Sequence, residues 1–285
     1  MGKIKLLIFV LICFLGPNLA YAWDIKKDNP FFGLEKYAKE MKRNVFALQT
    51  EGDLTNEEEK DDYILLGSGF LIQKNNYIVG ITCKHLILKY LVIEEGEIKV
   101  ENGEIVLNRS LYMGLDTDQG YKRFRVKLAH VNESYDFVLL FPQKDKPEDK
   151  IALKNLVLKD TYLGDNTLIA EGKGILVTGY PLSLGLEYNK NFPVVNFGII
   201  SQYKNQENFL IDGSINRGNS GSPVFSLKDE KIIGMITSYR NAQIPLFDEN
   251  NKLVATLPYN SGLANALPVG VIKRTLDELI KSTQK

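Results

Sequence analysis

Short apolar runs recur along most of the chain and are separated by clusters of polar and turn-forming residues. Each run holds roughly four to nine residues and is rich in Val, Ile, Phe and Tyr, as β-strands typically are. Their even spacing predicts an all-β protein of the antiparallel barrel type. The runs are Asn44–Gln49, Gly67–Gln73, Tyr77–Thr82, Glu97–Val100, Phe124–Leu128, Asp136–Phe141, Gly174–Gly179, Val194–Gln202, Phe209–Asp212, Pro223–Ser226, Lys231–Ser238 and Leu253–Leu257.

Two segments before the main series of runs have a different pattern. Leu34–Arg43 spaces its apolar residues as a short amphipathic helix does, and it leads directly into the first run. Residues 51–62 contain seven acidic residues and one lysine and interrupt the strands. This acidic segment is predicted to be a solvated loop, with calcium binding or a partner contact as alternatives.

A serine in a glycine-containing turn is the strongest chemical signal in the sequence. Residues 215–223 read Ile-Asn-Arg-Gly-Asn-Ser-Gly-Ser-Pro, which makes Ser220 a candidate nucleophile. A serine hydroxyl is a weak nucleophile at neutral pH, so it needs an imidazole as general base and a carboxylate that orients the imidazole. The chain contains two histidines, His85 and His130, that could supply the imidazole.

His85 is the better candidate for the base. It ends the apolar run 78–87, and Asp136 opens another apolar run 51 residues later. His130 lies in a polar stretch that precedes Asp136, where a structural or surface role is predicted. The order His85, Asp136, Ser220 is the order of the chymotrypsin-type proteases, and it differs from the order in subtilisins and α/β-hydrolases.

With these residues the chain resembles the trypsin-like (chymotrypsin-fold) serine proteases, and within them the HtrA/Deg type. The resemblance covers most of the chain and rests on five segments that occur in the expected order. They are residues 78–87, residues 136–141, residues 178–185 with 197–201, residues 212–226 with 233–237, and residues 262–279.

The resemblance implies two antiparallel six-stranded β-barrels, a short N-terminal helix and a closing C-terminal helix. It assigns residues 23–150 to an N-terminal barrel with His85 and Asp136, and residues 151–285 to a C-terminal barrel with Ser220 and the closing helix. The polar stretch Gln143–Lys150 would begin the connection between the barrels, with the active site in the cleft between them.

The implied function is hydrolysis of peptide bonds in protein or peptide substrates through a covalent acyl-enzyme, without a cofactor or metal. His85 would take the proton of Ser220 and pass it to the leaving amine, while Asp136 holds the ring. The backbone of residues Gly218, Asn219 and Ser220 would form the oxyanion hole, with the amides of the first and last as donors.

Substrate-binding residues also follow from the resemblance. Ser214 would lie at the floor of the first specificity pocket, with Ile215 and Asn216 along its wall. Because these residues carry no charge, a small or medium apolar side chain is expected before the scissile bond. The backbone of Ile236, Thr237 and Ser238 would pair with the substrate as an added strand, and the Thr237 hydroxyl is expected to reach Asp136.

The sequence departs from the family pattern in two respects. Ser222 occupies a position where the family usually has glycine, and we expect this small side chain to be tolerated. The HtrA type usually continues into peptide-binding PDZ domains, whereas this sequence ends after the predicted closing helix. Substrate capture by such domains is therefore not carried over to this chain.

The N-terminus predicts export. Residues 1–22 combine two lysines, an apolar core and the small-x-small sequence Ala20-Tyr-Ala22, which indicates a secretory signal peptide cleaved after Ala22. The apolar core is too short for a membrane span of about 20 residues. The mature chain is expected to be periplasmic or secreted, with no stable membrane span.

Removal of the signal peptide takes away two of the 35 basic residues and none of the 35 acidic ones, which leaves a formal charge of −2. Nothing in this composition indicates nucleic-acid binding. The mature chain keeps a single cysteine, Cys83, so an intramolecular disulfide is excluded. Cys83 is predicted to be a buried strand residue.

Two alternatives remain open at this point. A latent or non-catalytic protein of the same fold would bind extended peptides in the cleft without cutting them, and an esterase would use the same triad. A homo-oligomer is possible. The sequence does not define the physiological substrate or a role for the acidic segment 51–62.

Overall fold

A computed structural model gives the fold of the chain and describes residues 34–52, 63–118, 120–144, 147–183, 193–203 and 207–284. The predicted signal peptide, most of the acidic segment 51–62 and part of the segment 178–185 lie outside these residues. Within the described part, none of the helices has the length and apolar composition that a membrane crossing requires.

Among the described residues, three α-helices flank the sheets: α1 (Leu34–Asn44), α2 (Pro147–Lys154) and α3 (Val269–Thr283). α1 and α3 confirm the predicted N-terminal and closing helices. α2 was not predicted and lies partly in the polar connecting stretch. Its start is favourable because proline suits the first helical position and Glu148 and Asp149 complement the positive end of the helix dipole.

The first sheet closes into a ring of six strands in the order β1-β8-β9-β10-β3-β2, because β2 pairs with both β3 and β1. These strands are β1 (Val45–Glu51), β2 (Tyr63–Lys74), β3 (Tyr77–Thr82), β8 (Leu111–Thr117), β9 (Gly120–Val131) and β10 (Val138–Pro142). Two small hairpins lie between β3 and β8: β4 (Ile93–Glu94) with β5 (Glu97–Ile98), and β6 (Val100–Glu101) with β7 (Glu104–Ile105). A short strand after α2, β11 (Leu158–Lys159), adds to β2 in parallel.

The second sheet is a closed barrel in the order β12-β13-β14-β17-β16-β15. Its strands are β12 (Gly174–Gly179), β13 (Val194–Tyr203), β14 (Phe209–Gly213), β15 (Pro223–Ser226), β16 (Lys231–Phe247) and β17 (Leu253–Pro268). Each ring encloses its own apolar core, around Phe46 and Leu140 in the first and around Ile200 and Ile233 in the second. The prediction of two antiparallel six-stranded barrels is confirmed.

Several elements differ from the sequence prediction in extent. The run Glu97–Val100 is divided between two hairpins, because Gly96 and Gly103 adopt positive φ and allow tight turns on either side. The strand β8 was not predicted. The division of the chain at residue 150 stays a prediction.

The largest difference is the length of β16 and β17. The two strands remain paired far beyond the barrel, from Asn241 opposite Asn260 to Phe247 opposite Leu253. We call residues 241–260 the arm. Its strands are exposed along most of their length, so the arm is a two-stranded hairpin that extends the wall of the second barrel.

Candidate active site

The pairing of β3 with β10 brings His85 and Asp136 together. Val138, near the start of β10, lies opposite Thr82 at the end of β3. His85 follows Thr82 in the short 3-10 turn Lys84–Leu86, and Asp136 comes just before β10. Antiparallel neighbours place the end of one strand beside the start of the next, so both side chains occupy one edge of the first barrel.

Both carboxylate oxygens of Asp136 contact His85. The His85 amide donates to Oδ1 at 2.9 Å, and Nδ1 lies 2.7 Å from Oδ2. Burial alone would raise the pKa of Asp136, but the hydrogen bonds from the ring and the amide of His85 outweigh it and hold the pKa below its ordinary value. The carboxylate is therefore ionised at neutral pH and fixes the ring through Nδ1, which leaves Nε2 for a reacting group.

The loop that carries Asp136 is tied to the turn that carries His85. The Lys84 ammonium donates to the carbonyls of Asn132 and Glu133 at 2.6 and 3.0 Å. The Asn132 side chain accepts from the amides of Ser134 and Tyr135, which closes the loop. The sequence analysis missed this link. The only local signal of this link in the sequence is Asn132, which comes two residues before the Ser-Tyr-Asp sequence that ends at Asp136.

Ser220 lies in a turn that two glycines shape. Gly218 and Gly221 have φ values of +97° and +89°, a region that L side chains rarely adopt. The Ser220 hydroxyl lies 3.5 Å from the Thr237 carbonyl, and among the described residues it makes no hydrogen bond to His85. The Ser220 carbonyl accepts from the Ser68 amide at 2.9 Å, so the first barrel contacts the nucleophile turn directly.

Ser68 of β2 is a second residue that the sequence analysis missed. Its hydroxyl donates to the Gly218 carbonyl at 2.7 Å and accepts from the Tyr180 amide at 3.0 Å. Its carbonyl accepts from the Thr82 hydroxyl at 2.6 Å. Ser68 therefore joins the strand before His85 to the turn before Ser220, a role that an isolated strand serine does not reveal.

The peptide groups before Ser220 are held in one orientation. The Arg217 carbonyl accepts from the Leu182 amide at 2.6 Å, and in a planar trans peptide the following N–H of Gly218 points the opposite way. Within the described residues the amides of Gly218 and Ser220 have no acceptor. The Asn219 amide donates to the Asn216 carbonyl at 3.1 Å, so Asn219 stabilises the turn and its amide is not free for a ligand.

Ser222 is accommodated because Gly179 lies against it. A Cβ at residue 179 would come within 2.0 Å of the Ser222 hydroxyl and 2.7 Å of Asn219 Oδ1. Both side chains are fully buried, and in the described part of the chain their polar atoms have no hydrogen-bond partner. The glycine thus leaves the space that Ser222 fills.

A cleft of about 420 Å³ opens beside His85 and Asp136. Residues from both barrels line it: His85, Ser134, Tyr135, Asp136, Glu207, Asn208, Thr237, Ser238 and Leu267. Two of the predicted substrate-binding residues, Thr237 and Ser238, therefore border this cleft. The Thr237 hydroxyl donates to the Asn265 carbonyl at 3.3 Å, so the expected contact with Asp136 does not form.

Three of the other predicted substrate-binding residues have roles in the fold. Ile215 packs in the core of the second barrel, so only its backbone can border a pocket. The Ile236 carbonyl accepts from the Gly221 amide at 2.8 Å and its amide donates to Ser222, so it has no backbone group left for a substrate. Asn216 accepts a hydrogen bond from Asn260 at 2.7 Å, and the remaining predicted residue, Ser214, is exposed.

Cys83 is buried, as predicted, and its thiol donates to the Ile236 carbonyl at 3.2 Å. Possible ligand atoms of Cys83, His85 and Asp136 lie within 4.8 Å of one another. Burial and the Asp136 charge raise the pKa of the Cys83 thiol well above its usual range. The Cys83 thiol is therefore protonated at neutral pH.

Comparisons with known proteins agree with this architecture. The family described as "Trypsin-like peptidase domain" matches residues 67–235. A "Probable periplasmic serine endoprotease DegP-like" of Brucella suis biovar 1 (strain 1330) is 30% identical over 222 residues, which are 75% of this chain and 33% of the relative. A protein of the same description from Rhizobium meliloti (strain 1021) is 26% identical over 201 residues, 67% of this chain and 32% of the relative.

Solved structures of the HtrA-type protease AlgW share the fold. The complex with a decapeptide has a TM-score of 0.54 at 17% identity and covers 86% of this chain and 66% of its own. The complex with a tripeptide has a TM-score of 0.55 at 18% identity, covering 87% and 64%. The chain spans about a third of the length of the curated relatives it matches. With a family match over more than half of its length, this chain belongs to the trypsin-like peptidase family.

Proposed function

We propose that this protein is a serine endopeptidase in which His85, Asp136 and Ser220 form the catalytic triad. The observation that carries the proposal is the two-point contact of Asp136 with His85 at a cleft lined by residues of both barrels. The Ser220 hydroxyl lies 3.5 Å from the carbonyl of Thr237, one of the residues that line this cleft. This contact fixes both the tautomer and the orientation of the imidazole, which is the function of the aspartate in such triads.

In the proposed mechanism, Nε2 of His85 accepts the Ser220 proton while Oγ forms a bond to the carbonyl carbon of the scissile peptide. His85 then donates that proton to the leaving amine as the C–N bond breaks, which leaves an acyl group on Ser220. A water molecule, deprotonated by His85, releases the acyl group as a carboxylic acid and restores the serine. Asp136 stabilises the imidazolium that forms in each half of the reaction.

The amides of Gly218 and Ser220 are the proposed oxyanion donors. Their lack of other acceptors among the described residues and the fixed Arg217 and Gly218 carbonyls support this assignment. Preorganised donors of this kind are each worth about 3 kcal/mol in the transition state. Asn219 supports the hole through its bond to Asn216 and is not itself a donor.

Protein or peptide chains are the proposed substrates. The relatives are described as periplasmic endoproteases, and the two AlgW structures contain peptides. The backbone of Thr237 and Ser238 borders the cleft and would pair with such a chain. We propose the same extracytoplasmic location for this protein, reached after cleavage of the signal peptide at Ala22.

Active-site labelling tests the function. Purified protein of residues 23–285 is treated with a fluorophosphonate, and casein digestion is followed in parallel, for the native sequence and for Ser220→Ala. We expect covalent labelling and digestion by the native protein and neither by the variant. His85→Ala should lower kcat at least a thousandfold because the hydroxyl then lacks a base.

Other outcomes identify the alternatives. Labelling without peptide turnover, together with hydrolysis of p-nitrophenyl esters, would indicate an esterase. Peptide binding by folded native protein that is not labelled would identify the latent or non-catalytic cleft. Digestion that persists in Ser220→Ala would contradict the proposed nucleophile.

A further inference from the structure

The arm carries an apolar face that the described part of the protein leaves uncovered. Side chains of a strand alternate between its two faces, and the cross-strand register sets three apolar pairs on the same face. The pairs are Ala242 with Tyr259, Ile244 with Leu257, and Leu246 with Ala255. Ile244 and Leu257 are 47% and 52% exposed. A contiguous exposed apolar surface of this kind marks an interaction site.

The arm is a specified hairpin, since its tip is closed by a defined turn. The Asp248 carboxylate accepts from the amides of Asn250 and Lys252, both at 2.9 Å, and the Asp248 amide donates to the Lys252 carbonyl. Asn251 adopts the left-handed conformation that this turn requires. The sequence thus specifies the arm, although an isolated two-stranded hairpin is only marginally stable in water.

Both edges of the arm are blocked against further strands. Pro245 lies opposite Thr256, and Pro258 lies opposite Gln243. Proline has no backbone N–H to donate to a neighbouring strand. In a sheet it therefore occupies edge positions, where the backbone nitrogen faces away from the paired strand. Each outer edge therefore has a gap in its donors, which disfavours strand addition. Contact with a partner is thereby directed to the apolar face.

This face continues the wall of the cleft. Ser238 lines the hollow beside His85, and Ser238 and Arg240 together line a second hollow of about 430 Å³. The pairing register shifts after Tyr239, because three residues of β17, 261–263, lie opposite the single residue Arg240 of β16. The extra residues are therefore in β17, and β16 continues as a regular strand. Since successive side chains of β16 point to opposite faces, Ser238, Arg240 and Ile244 lie on the same face of the strand. From residue 238 to residue 246 this face is about 25 Å long.

The size of the face decides what it binds. It measures on the order of a few hundred Å², whereas a stable interface buries about 800 Å² on each partner. A second copy held by this face alone would dissociate readily. A chain that is already held in the cleft needs little additional surface, because its upstream residues reach the arm at high effective concentration.

We propose that the apolar face of the arm is an additional substrate-binding site, which holds an uncharged apolar stretch of the substrate on the N-terminal side of the scissile bond. This inference rests on the proposed peptidase function. A substrate strand that pairs antiparallel with β16 at Thr237 runs with its upstream residues toward the arm. Contact with Ile244 and Leu257 then falls roughly five to ten residues before the scissile bond.

Two quenched fluorescent peptides test the proposal. They share one cleavable core, obtained by mapping casein cleavage sites, and carry a ten-residue upstream extension that is either apolar or Gly-Ser. We expect kcat/KM to be about tenfold higher for the apolar extension, with the gain in KM. Ile244→Lys and Leu257→Lys should each bring the ratio of the two peptides close to one. Gln243→Lys and Thr256→Lys add the same charge on the opposite face and should keep the ratio.

Equal turnover of both peptides by the native protein, or a ratio that survives in Ile244→Lys and Leu257→Lys, would overturn the inference while leaving the peptidase function intact. The inference would also be overturned if substitutions on the apolar face changed only the sedimentation coefficient, because the face would then be an interface between copies of the chain. If no peptide is cleaved in a Ser220-dependent way, the proposed function fails. Anisotropy binding of the two peptides to Ser220→Ala protein then decides the role of the arm by itself.

Discussion

At the scale of single residues, the nucleophile turn depends on the absence of side chains around it. A Cβ on Gly218 would lie 2.2 Å from the Tyr180 carbonyl, and one on Gly221 would lie 1.9 Å from the Ser68 carbonyl. Backbone atoms cannot move aside as the end of a flexible side chain can. The glycines flanking Ser220 are thus required by close backbone approach as well as by their positive φ.

Gly179 provides a test at this scale. Gly179→Ala would force its methyl group against Ser222 and Asn219, so we expect a loss of about 1–3 kcal/mol in the free energy of unfolding. Displacement of Asn219, the neighbour of Ser220, should also lower kcat by roughly tenfold or more. Urea unfolding and peptide kinetics measure the two effects.

Gly174→Ala is the matched control, because it lies in the same strand and its Cβ would meet its nearest neighbours at 3.5 Å, an ordinary contact. Equal stability and activity of the two variants would contradict the proposed packing around Ser222.

At the scale of elements, the base of the arm is connected to the segment that leads to Ser220. The Asn260 side chain donates to the Ile215 carbonyl at 2.5 Å and to Asn216 Oδ1 at 2.7 Å, and it accepts from the Gly262 amide. Asn260 thus holds the predicted wall of the specificity pocket from the opposite strand. Sequence reasoning could not find it, because 44 residues separate it from Asn216.

Replacement of Asn260 tests this connection. In Asn260→Ala the Ile215 carbonyl loses its partner, and we expect kcat/KM for a short peptide to fall roughly tenfold as the pocket wall shifts. The free energy of unfolding should fall by about 1 kcal/mol. Asn241→Ala serves as the control, because Asn241 lies directly opposite Asn260 on β16 and the substitution removes the same side chain from the other strand of the arm. Unchanged kinetics in Asn260→Ala would show that the arm and the pocket are independent.

At the scale of the whole molecule, one lysine joins three distant segments. The Lys74 ammonium at the end of β2 pairs with Asp160, at 3.1 Å, and with Asp277 of α3. Burial alone would lower the pKa of Lys74, but the hydrogen bonds and charges of the two carboxylates outweigh it and raise the pKa above its ordinary value. The closing helix is therefore tied to the first barrel.

The sign of this shift predicts a pH dependence. Because the pKa of Lys74 is higher in the folded state, protonated Lys74 stabilises the fold fully at pH values below the ordinary lysine pKa. This stabilisation is lost as the pH rises through the folded-state pKa. Lys74→Met should cost about 1–2 kcal/mol at pH 8. The difference from the native protein, measured by urea unfolding, should shrink only as the pH rises above 10.5, the ordinary lysine pKa. Lys39→Met is the control, because it removes an exposed ion pair with Glu35 in α1 and should change the free energy of unfolding little. A loss of stability in Lys74→Met that does not depend on pH would contradict the ion-pair origin.

Local pattern was sufficient for much of this molecule. Apolar runs and turn residues gave most strands of both barrels, and helical spacing gave α1. The order of His85, Asp136 and Ser220 indicated their proposed chemistry, because that order is specific to one protease class. The strands and the helix depend on apolar periodicity among residues that are close in the sequence, so the sequence alone indicates them.

Only the tertiary structure decided what holds these residues and what surrounds them. Ser68 and Lys84 carry no local signal, since their partners lie 150 and 48 residues away. The arm was missed because the apolar pattern of β16 breaks after Ser238, where pairing with β17 instead keeps the strand extended. Strand pairing is a long-range interaction, so its register, its length and the site that it builds follow from the fold as a whole.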